Sequence, residues 1–397
     1  MDPVAAAPVV GPAAVAAVRA AELVASDAPH LALAAVSLVL AVLGLWLVGA
    51  VLLSAIRTVV VPRGERPVLT AVVFLTVRRV MDPWLRRGTP ARHERLLRRY
   101  APLSLMALAG TWGLLVIIGF TPVHWAVGEL SWLDALQVSG SSLTTLGFLS
   151  ADPTPARLVE VVEAFIGLGL VGLLISFLPA IYAAYSQREQ LVAQMASRAG
   201  EPPTVDTFLA RMQRIRGLIK LDDTWESWEQ WFAAVEETHT SYPALVYFRS
   251  GDDRSWLTAA GCLLDSASFY QAALDVPRSS AAALCIRSGF LCLREVADQF
   301  LIPYDPDPAP DDPISISRSE FDEVWEELER TGLPMVADRD QAWRDFAGWR
   351  VNYDMALLGL CAMVEPPAAP WSSDRVDPVP RHPLRQARAL RRAAKAE

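Results

Sequence analysis

A short polar segment near the middle of this 397-residue chain holds the residues best suited to chemistry. It lies between two apolar segments that are each long enough to cross a bilayer, and it reads Ser139-Gly140-Ser141-Ser142-Leu143-Thr144-Thr145-Leu146-Gly147-Phe148. Backbone polar groups do not face lipid unpaired, so a non-helical segment at membrane depth must border protein or water. The segment therefore suggests a pore loop.

The composition fits a protein that is partly in a membrane. Hydrophobic residues make up 52% of the chain and charged residues only 20%, which is unusual for a soluble globular protein. The apolar residues are concentrated before about residue 185, and most Asp, Glu and Trp residues follow it. The shift predicts a membrane half and a water-soluble half, and the net charge of -8 gives no indication of a nucleic-acid partner.

Three apolar runs reach the ~20 residues needed to cross a bilayer. The first covers residues 31–56, the second residues 101–123 and the third residues 158–185, with the polar segment between the last two. We expect residues 1–30 to form an extracytoplasmic tail, because their acidic start and Arg19 do not match a cleaved signal.

Arginine residues assign an orientation to these helices. Residues 57–99 are rich in arginine, whereas residues 121–156 contain neither Lys nor Arg. The positive-inside rule places residues 57–99 and the carboxyl-terminal half in the cytoplasm, with the amino terminus and the polar loop outside. Residues 68–75 with Trp84 fit either an amphipathic helix on anionic lipids or an ordinary helix packed on the pore. The prediction is a multi-pass protein of the cell (plasma) membrane.

A short helix is expected directly before the polar loop. Ser131 precedes Asp134 by three residues, a capping pattern in front of apolar residues, so a helix begins there and ends near Leu143. A helix of this length re-enters the membrane without crossing it. Its carbonyl end carries partial negative charge towards the membrane centre, which favours a cation there.

The next residues carry a family resemblance. Thr144-Thr145-Leu146-Gly147-Phe148, after a pore helix and before a Gly-rich inner helix, resembles the T-T-x-G-[YF] core of the two-transmembrane pore-loop potassium channels. The resemblance covers roughly residues 100–185. It implies a homotetramer whose four loops surround an axis, and a filter in which backbone carbonyls and one threonine hydroxyl replace the water around potassium. The ion-binding residues that it implies are Thr144, Thr145, Leu146, Gly147 and Phe148, with the Phe148 ring packed against the pore helix.

The chain departs from this family at the next two positions, where Leu149 and Ser150 replace a glycine and an aspartate. Leucine resists positive φ, so the resemblance does not imply an outermost carbonyl site or strict potassium selectivity. Asp152 is a candidate for collecting cations at the outer mouth, or else it caps the turn that follows.

The third apolar run contains residues that suit a pore-lining helix. Gly167, Gly169 and Gly172 formally match a dinucleotide fingerprint, but no strand precedes them, so they indicate close packing or a hinge. Pro179 is expected to kink the helix near its cytoplasmic end and so to belong to a hinge or gate. Glu163 is a candidate for a hydrogen bond behind the filter, because a carboxylate in a membrane is costly without a purpose.

Residues 186–365 predict an all-α cytoplasmic domain, because apolar residues recur there at helical spacing. We assign an aromatic stripe that includes Trp225, Trp228 and Phe232 to its core. Residues 366–397 are Pro-rich and then basic, which predicts a disordered tail. The four cysteines have no metal-ligand spacing and are interpreted as buried thiols: Cys262, Cys285, Cys292 and Cys361.

The sequence thus predicts an all-α membrane protein with three transmembrane helices, a re-entrant pore helix with its filter loop in residues 100–185, and a helical cytoplasmic domain. The expected function is a tetrameric cation channel, potassium being the expected ion. The alternative is a non-conducting, channel-like membrane receptor or scaffold. No enzyme motif is found, and no cofactor or metal is expected beyond the conducted ion.

Overall fold

The computed structural model describes residues 12–60, 68–85, 89–128, 130–152, 154–215, 217–251 and 254–376. Within these ranges the chain is helical, and the one strand-like pairing is an isolated bridge between Leu274 and Met335. The all-α prediction is confirmed for this part of the chain. The helices are α1 (Pro12–Val59), α2 (Val68–Leu85), α3 (Pro90–Val127), α4 (Trp132–Leu143), α5 (Thr154–Ala199), α6 (Val205–Ile215), α7 (Asp222–Ser241), α8 (Trp256–Ala273), α9 (Ser280–Gln299), α10 (Arg318–Arg330), α11 (Arg339–Arg350) and α12 (Asp354–Val364).

Three of the described helices are long and apolar enough to cross a membrane. The candidate spans are Leu33–Val59, Ala91–Val127 and Thr154–Ala199. The helices extend beyond the predicted runs, since α1 already begins at Pro12 and α5 continues to Ala199. The physical reason is that the added segments are rich in good helix formers such as Ala, Leu, Gln and Arg, which continue a helix without being apolar. Residues 1–11 of the predicted tail lie outside the described residues.

The chain forms two compact units. The first consists of Met1–Ile56 and Leu108–Ile175, and the second of Arg57–Ala107 and Ser176–Glu397. Helices α3 and α5 therefore contribute residues to both units.

In the first unit, α1 and α3 meet at two glycines. A Cβ at Gly44 would lie 2.1 Å from the carbonyl oxygen of Gly119, and a Cβ at Gly119 would lie 2.7 Å from Cγ2 of Val48. The buried residues of α1 recur at helical spacing, at Ala41, Val48 and then further along the same face. Small residues that let two backbones approach are typical of helix contacts in lipid, where burial of apolar area gives little driving force.

The second unit contains a large hydrophobic core built around α8, in which every residue except Gln271 is buried. The predicted aromatic stripe lies in this core, with Trp225, Trp228 and Phe232 fully buried. The four cysteines are also free and buried, as predicted. Trp371 is buried in the same core, so the chain still packs on this unit after residue 366, where the predicted tail was to begin. Residues 377–397 of that tail lie outside the described residues.

A buried ionic network crosses this core. The carboxylate of Asp265 accepts hydrogen bonds from Arg350 and from the Tyr353 hydroxyl, and Arg350 also contacts Asp354 at 2.8 Å. Burial disfavours the charged guanidinium, but the two carboxylates outweigh this effect and raise the pKa of Arg350. The core tolerates the buried charge of Arg350 because the carboxylates of Asp265 and Asp354 pair with it.

Helix α2 packs one face within the second unit and leaves the other face exposed. Phe74, Met81 and Leu85 are buried, and the Tyr100 hydroxyl donates to the carbonyl of Phe74 at 3.1 Å. The exposed face includes Trp84. Arg78 of α2 and His93 of α3 both bind the carboxylate of Glu365. The structure thus supports packing for one face of α2, and contact of the other face with lipid stays a prediction.

The contact between α1 and α3 predicts a sharp difference between two glycines of α1. Gly44→Ala forces apart two backbones that cannot give way locally, so we expect a loss of about 1–3 kcal/mol of stability. Gly49→Ala is the matched control, because nothing lies within 4 Å of its added Cβ. Thermal unfolding in detergent measures the difference. Equal unfolding midpoints for the two variants would contradict the contact.

Candidate functional site

Helix α4 ends where the polar loop begins. Its amino-terminal cap is Ser131, whose hydroxyl oxygen accepts a hydrogen bond from the amide of Asp134 at 3.2 Å. The helix runs from Trp132 to Leu143, which confirms the predicted short helix and its ends. Its carbonyl end, which carries the negative end of the helix dipole, is therefore next to the loop residues Thr144–Ser150.

The loop backbone changes handedness from residue to residue. Thr144 is right-handed with φ -80°, whereas Thr145 has φ 57° and Gly147 has φ 64°. Leu146, between the last two, does not have a positive φ. Such alternation turns successive backbone N–H groups to a common side. Thr145 is a β-branched residue in the left-handed region, an outlier of the kind that occurs at functional sites.

The amide groups of the loop point back to α4. The amide of Leu146 donates to the carbonyl of Ser141 at 3.0 Å, and the amide of Phe148 donates to the Ser141 hydroxyl at 3.0 Å. The amide of Leu149 lies 3.4 Å from the same hydroxyl oxygen, and that of Thr145 donates to the carbonyl of Ser142. One serine therefore organises several amides of the loop.

The carbonyl groups of the loop differ from its amides. None of the described residues donates a hydrogen bond to the carbonyls of Thr145, Leu146, Gly147 or Phe148. All residues from Thr144 to Ser150 are exposed in the single chain. Phe148 is itself 62% exposed, so the predicted packing of its ring against α4 is not seen in the single chain.

Helix α5 lies directly against the end of α4. A Cβ at Gly167 would come within 2.1 Å of the carbonyl oxygen of Leu143, so only glycine fits this approach. Gly169 and Gly172 have open space around them, and Pro179 lies inside α5. The sequence indicated either close packing or a hinge at these glycines. Gly167 is closely packed, whereas a hinge at Gly169, Gly172 or Pro179 stays a prediction.

A buried polar cluster joins three helices behind the loop. Ser139 of α4 donates to Oε1 of Glu163 on α5 at 2.5 Å, and Nε2 of His124 on α3 lies 2.8 Å from Oε2 of the same carboxylate. All three side chains are fully buried. Ser139 also lies 3.1 Å from the carbonyl of Ile117 on α3. We call Ser139, Glu163 and His124 the polar cluster.

A second carboxylate of α5 holds the chain after the loop. Glu160 accepts from the amide of Ala151 at 2.5 Å and from the Ser150 hydroxyl at 3.0 Å. The neighbouring Asp152 is highly exposed and pairs with Arg157. Asp152 therefore lies just after the loop, and its carboxylate is paired with the Arg157 guanidinium, so its role at an outer mouth stays a prediction.

The structure brings some of the predicted site residues together. Residues Thr144–Phe148 follow the end of α4 and Gly167 packs against it, whereas Asp152 lies beyond the loop, and Gly169, Gly172 and Pro179 follow further along α5. The sequence did not indicate the parts played by Ser141, Ser139 and His124. Their partners are fixed by the folding of the loop and by the contact of three helices, and only the carboxylate of Glu163 gave a signal.

The chain matches no family model, no curated protein and no solved structure.

The loop geometry predicts a specific role for the Ser141 hydroxyl. Ser141→Ala removes the acceptor of the Phe148 and Leu149 amides, so we expect hydrogen exchange at these two amides to become about tenfold faster. Ser142→Ala is the control, because Ser142 accepts from the loop through its backbone carbonyl, which alanine keeps. Exchange measured by mass spectrometry on the protein in nanodiscs tests this. Equal exchange rates in both variants would contradict the bonding of the Phe148 and Leu149 amides to the Ser141 hydroxyl.

Proposed function

We propose that this chain forms a cation-conducting pore in a cell membrane, with Thr144–Phe148 as its ion filter. The observation that carries the proposal is the separation of the two kinds of backbone group in the loop. The amides are bonded to Ser141 and Ser142, while the carbonyls of Thr145, Leu146, Gly147 and Phe148 have no donor among the described residues. A row of oriented, neutral oxygens is a suitable ligand set for a weakly hydrated monovalent cation.

The electrostatics of α4 support the same ligand. The carbonyl end of this helix adjoins the loop, and its partial negative charge stabilises a cation and disfavours an anion. No acidic side chain lies within Thr144–Phe148, so the site would bind through dipoles alone. Such a site attracts a cation without holding it too tightly to leave, which conduction requires.

The exposure of the loop supports association of several copies. Leu146 is 70% exposed and Phe148 is 62% exposed in the single chain, next to free carbonyls. Within a membrane such a surface must be covered by protein or border water. Four copies around an axis would cover the side chains and leave the carbonyls on a central path, which the family resemblance also implies.

The rest of the chain suits this role. Three helices are long and apolar enough to cross a membrane, and the arginine-rich residues between the first two support a cytoplasmic position for that segment. In this topology the amino terminus lies outside and the helical domain lies in the cytoplasm, where it would modulate the pore. Anionic lipids are the expected partners of the exposed face of α2.

One observation favours the second candidate, a channel-like receptor or scaffold that does not conduct. Leu149 does not have a positive φ, and its carbonyl lies 3.4 Å from the Ser141 hydroxyl, turned back towards α4. The row of carbonyls without a donor among the described residues therefore ends at Phe148. The proposed filter thus has fewer carbonyl sites than the filter of the potassium channels that it resembles, which favours the non-conducting candidate.

Flux into liposomes separates the two candidates. We expect the wild-type chain, reconstituted as a tetramer, to pass potassium down its gradient and to pass sodium more slowly. Gly147→Ala should reduce this flux about tenfold, because a left-handed conformation costs a residue with a Cβ roughly 1–2 kcal/mol. Gly140→Ala on α4 is the matched control, since nothing lies within 4 Å of its added Cβ and its φ is not positive. A verified tetramer that passes no ion under any gradient or voltage would refute the conducting pore and support the receptor or scaffold.

A further inference from the structure

Two carboxylates on successive turns of α5 contact the chain on both sides of the candidate filter. Glu163 accepts from Ser139, which lies in α4 ahead of the loop, at 2.5 Å. Glu160 accepts from the amide of Ala151, which follows the loop, at 2.5 Å. The residues between these two anchor points are 140–150, which are the last turn of α4 and the loop Thr144–Ser150.

We propose that Glu160 and Glu163 are positioning residues that set the shape, and with it the ion preference, of the filter. This inference rests on the proposed function, because ion preference has meaning only for a conducting pore. Neither carboxylate bonds to the filter residues Thr144–Phe148, since Glu163 binds Ser139 and His124, and Glu160 binds the chain after the filter. Each acts through a hydrogen bond to a residue at one end of the loop, so that a single helix determines the separation of the two ends.

The polar cluster gives Glu163 a fixed position. His124 lies 2.8 Å from one of its oxygens and Ser139 lies 2.5 Å from the other, and all three side chains are fully buried. A carboxylate with both oxygens bonded has little freedom to rotate. Nδ1 of His124 is buried without a partner among the described residues, which favours the tautomer whose Nε2–H donates to Glu163.

The contact of Gly167 with Leu143 adds a mechanical constraint next to Glu163. The two backbones are so close that a Cβ at Gly167 would be 2.1 Å from the carbonyl of Leu143. Gly167 lies one turn beyond Glu163 on the same buried face of α5. The carboxyl-terminal half of α4 is therefore held against α5 by packing at one turn and by a hydrogen bond at the previous turn.

Glu160 gives the other end of the loop a direct attachment. It accepts from the Ser150 hydroxyl as well as from the amide of Ala151, and Ala151 is buried although the loop before it is exposed. The potassium channels that Thr144–Phe148 resemble have an aspartate where this chain has Ser150. Here a carboxylate on the helix and a hydroxyl on the loop are joined, so α5 supplies the negative charge near this end.

The test compares variants that lose these hydrogen bonds with variants that keep them. Glu160→Ala and Glu163→Leu remove the acceptors, whereas Glu160→Gln and Glu163→Gln keep an acceptor oxygen at the same distance along the side chain. Val162→Ala, on an exposed face of the same helix, is the control. Each full-length protein is reconstituted in liposomes for potassium and sodium flux, and in nanodiscs for hydrogen exchange.

We expect the ratio of potassium to sodium flux to fall about tenfold in Glu160→Ala and in Glu163→Leu, and to return towards wild type in the glutamine variants. Exchange should become about tenfold faster at the amide of Ala151 in the first variant, and at the amides of Leu146–Leu149 in the second. Val162→Ala should match wild type in both measurements. Unchanged exchange in both acceptor-loss variants, or an unchanged flux ratio in both, would overturn the proposal.

The two measurements also separate this proposal from the proposed function. A wild-type tetramer without flux refutes the conducting pore, and exchange then decides alone whether the carboxylates position the loop. If Glu163→Leu does not form the wild-type oligomer, Ser139→Ala removes only the hydroxyl that binds Glu163, and Ser150→Ala does the same for Glu160. The same changes in exchange and flux ratio are expected, and their absence overturns the proposal.

Discussion

The structure around the loop depends on one interaction, the bonding of the amides of Thr144–Leu149 to acceptors in α4. Ser141 provides most of these acceptors, because its carbonyl accepts from the amide of Leu146 and its hydroxyl oxygen accepts from the amide of Phe148. The acceptors all lie in α4, whereas the carbonyls of Thr145–Phe148 have no donor among the described residues. The arrangement does not need charged ligands, and the positive φ of Thr145 and Gly147 follows from the same alternation of peptide groups.

The polar cluster and the contact of Gly167 with Leu143 hold α4, and with it the start of the loop, against the neighbouring helices. A buried carboxylate among apolar helices is tolerated only with partners, and Glu163 finds them on two other helices. Gly167 then allows α5 to approach the last carbonyl of α4. Polar bonding and close packing thus act at adjacent turns, and each fixes what the other would leave free, namely the rotation of α5 and its distance from α4.

Local patterns predicted much of this fold, whereas contacts between distant residues were not predictable. The cap at Ser131 and the apolar run after it defined α4, because capping is a local interaction. The partners of Glu163 are 24 and 39 residues away in the sequence, so no spacing rule reaches them. Similarly, the early start of α1 depends on helix propensity instead of hydropathy, and the burial of Trp371 depends on a tertiary contact with α11 and the core.

The four buried cysteines are expected to react slowly with thiol reagents in the folded protein. Burial raises the pKa of the Cys361 thiol to about 12 and raises the pKa values of the other three thiols as well, so the reactive thiolate is scarce in the folded protein at neutral pH. A cysteine introduced at an exposed loop position such as Ser150 would therefore be labelled selectively without removal of the native ones. Labelling of the native thiols would in turn report the opening of the α8 core.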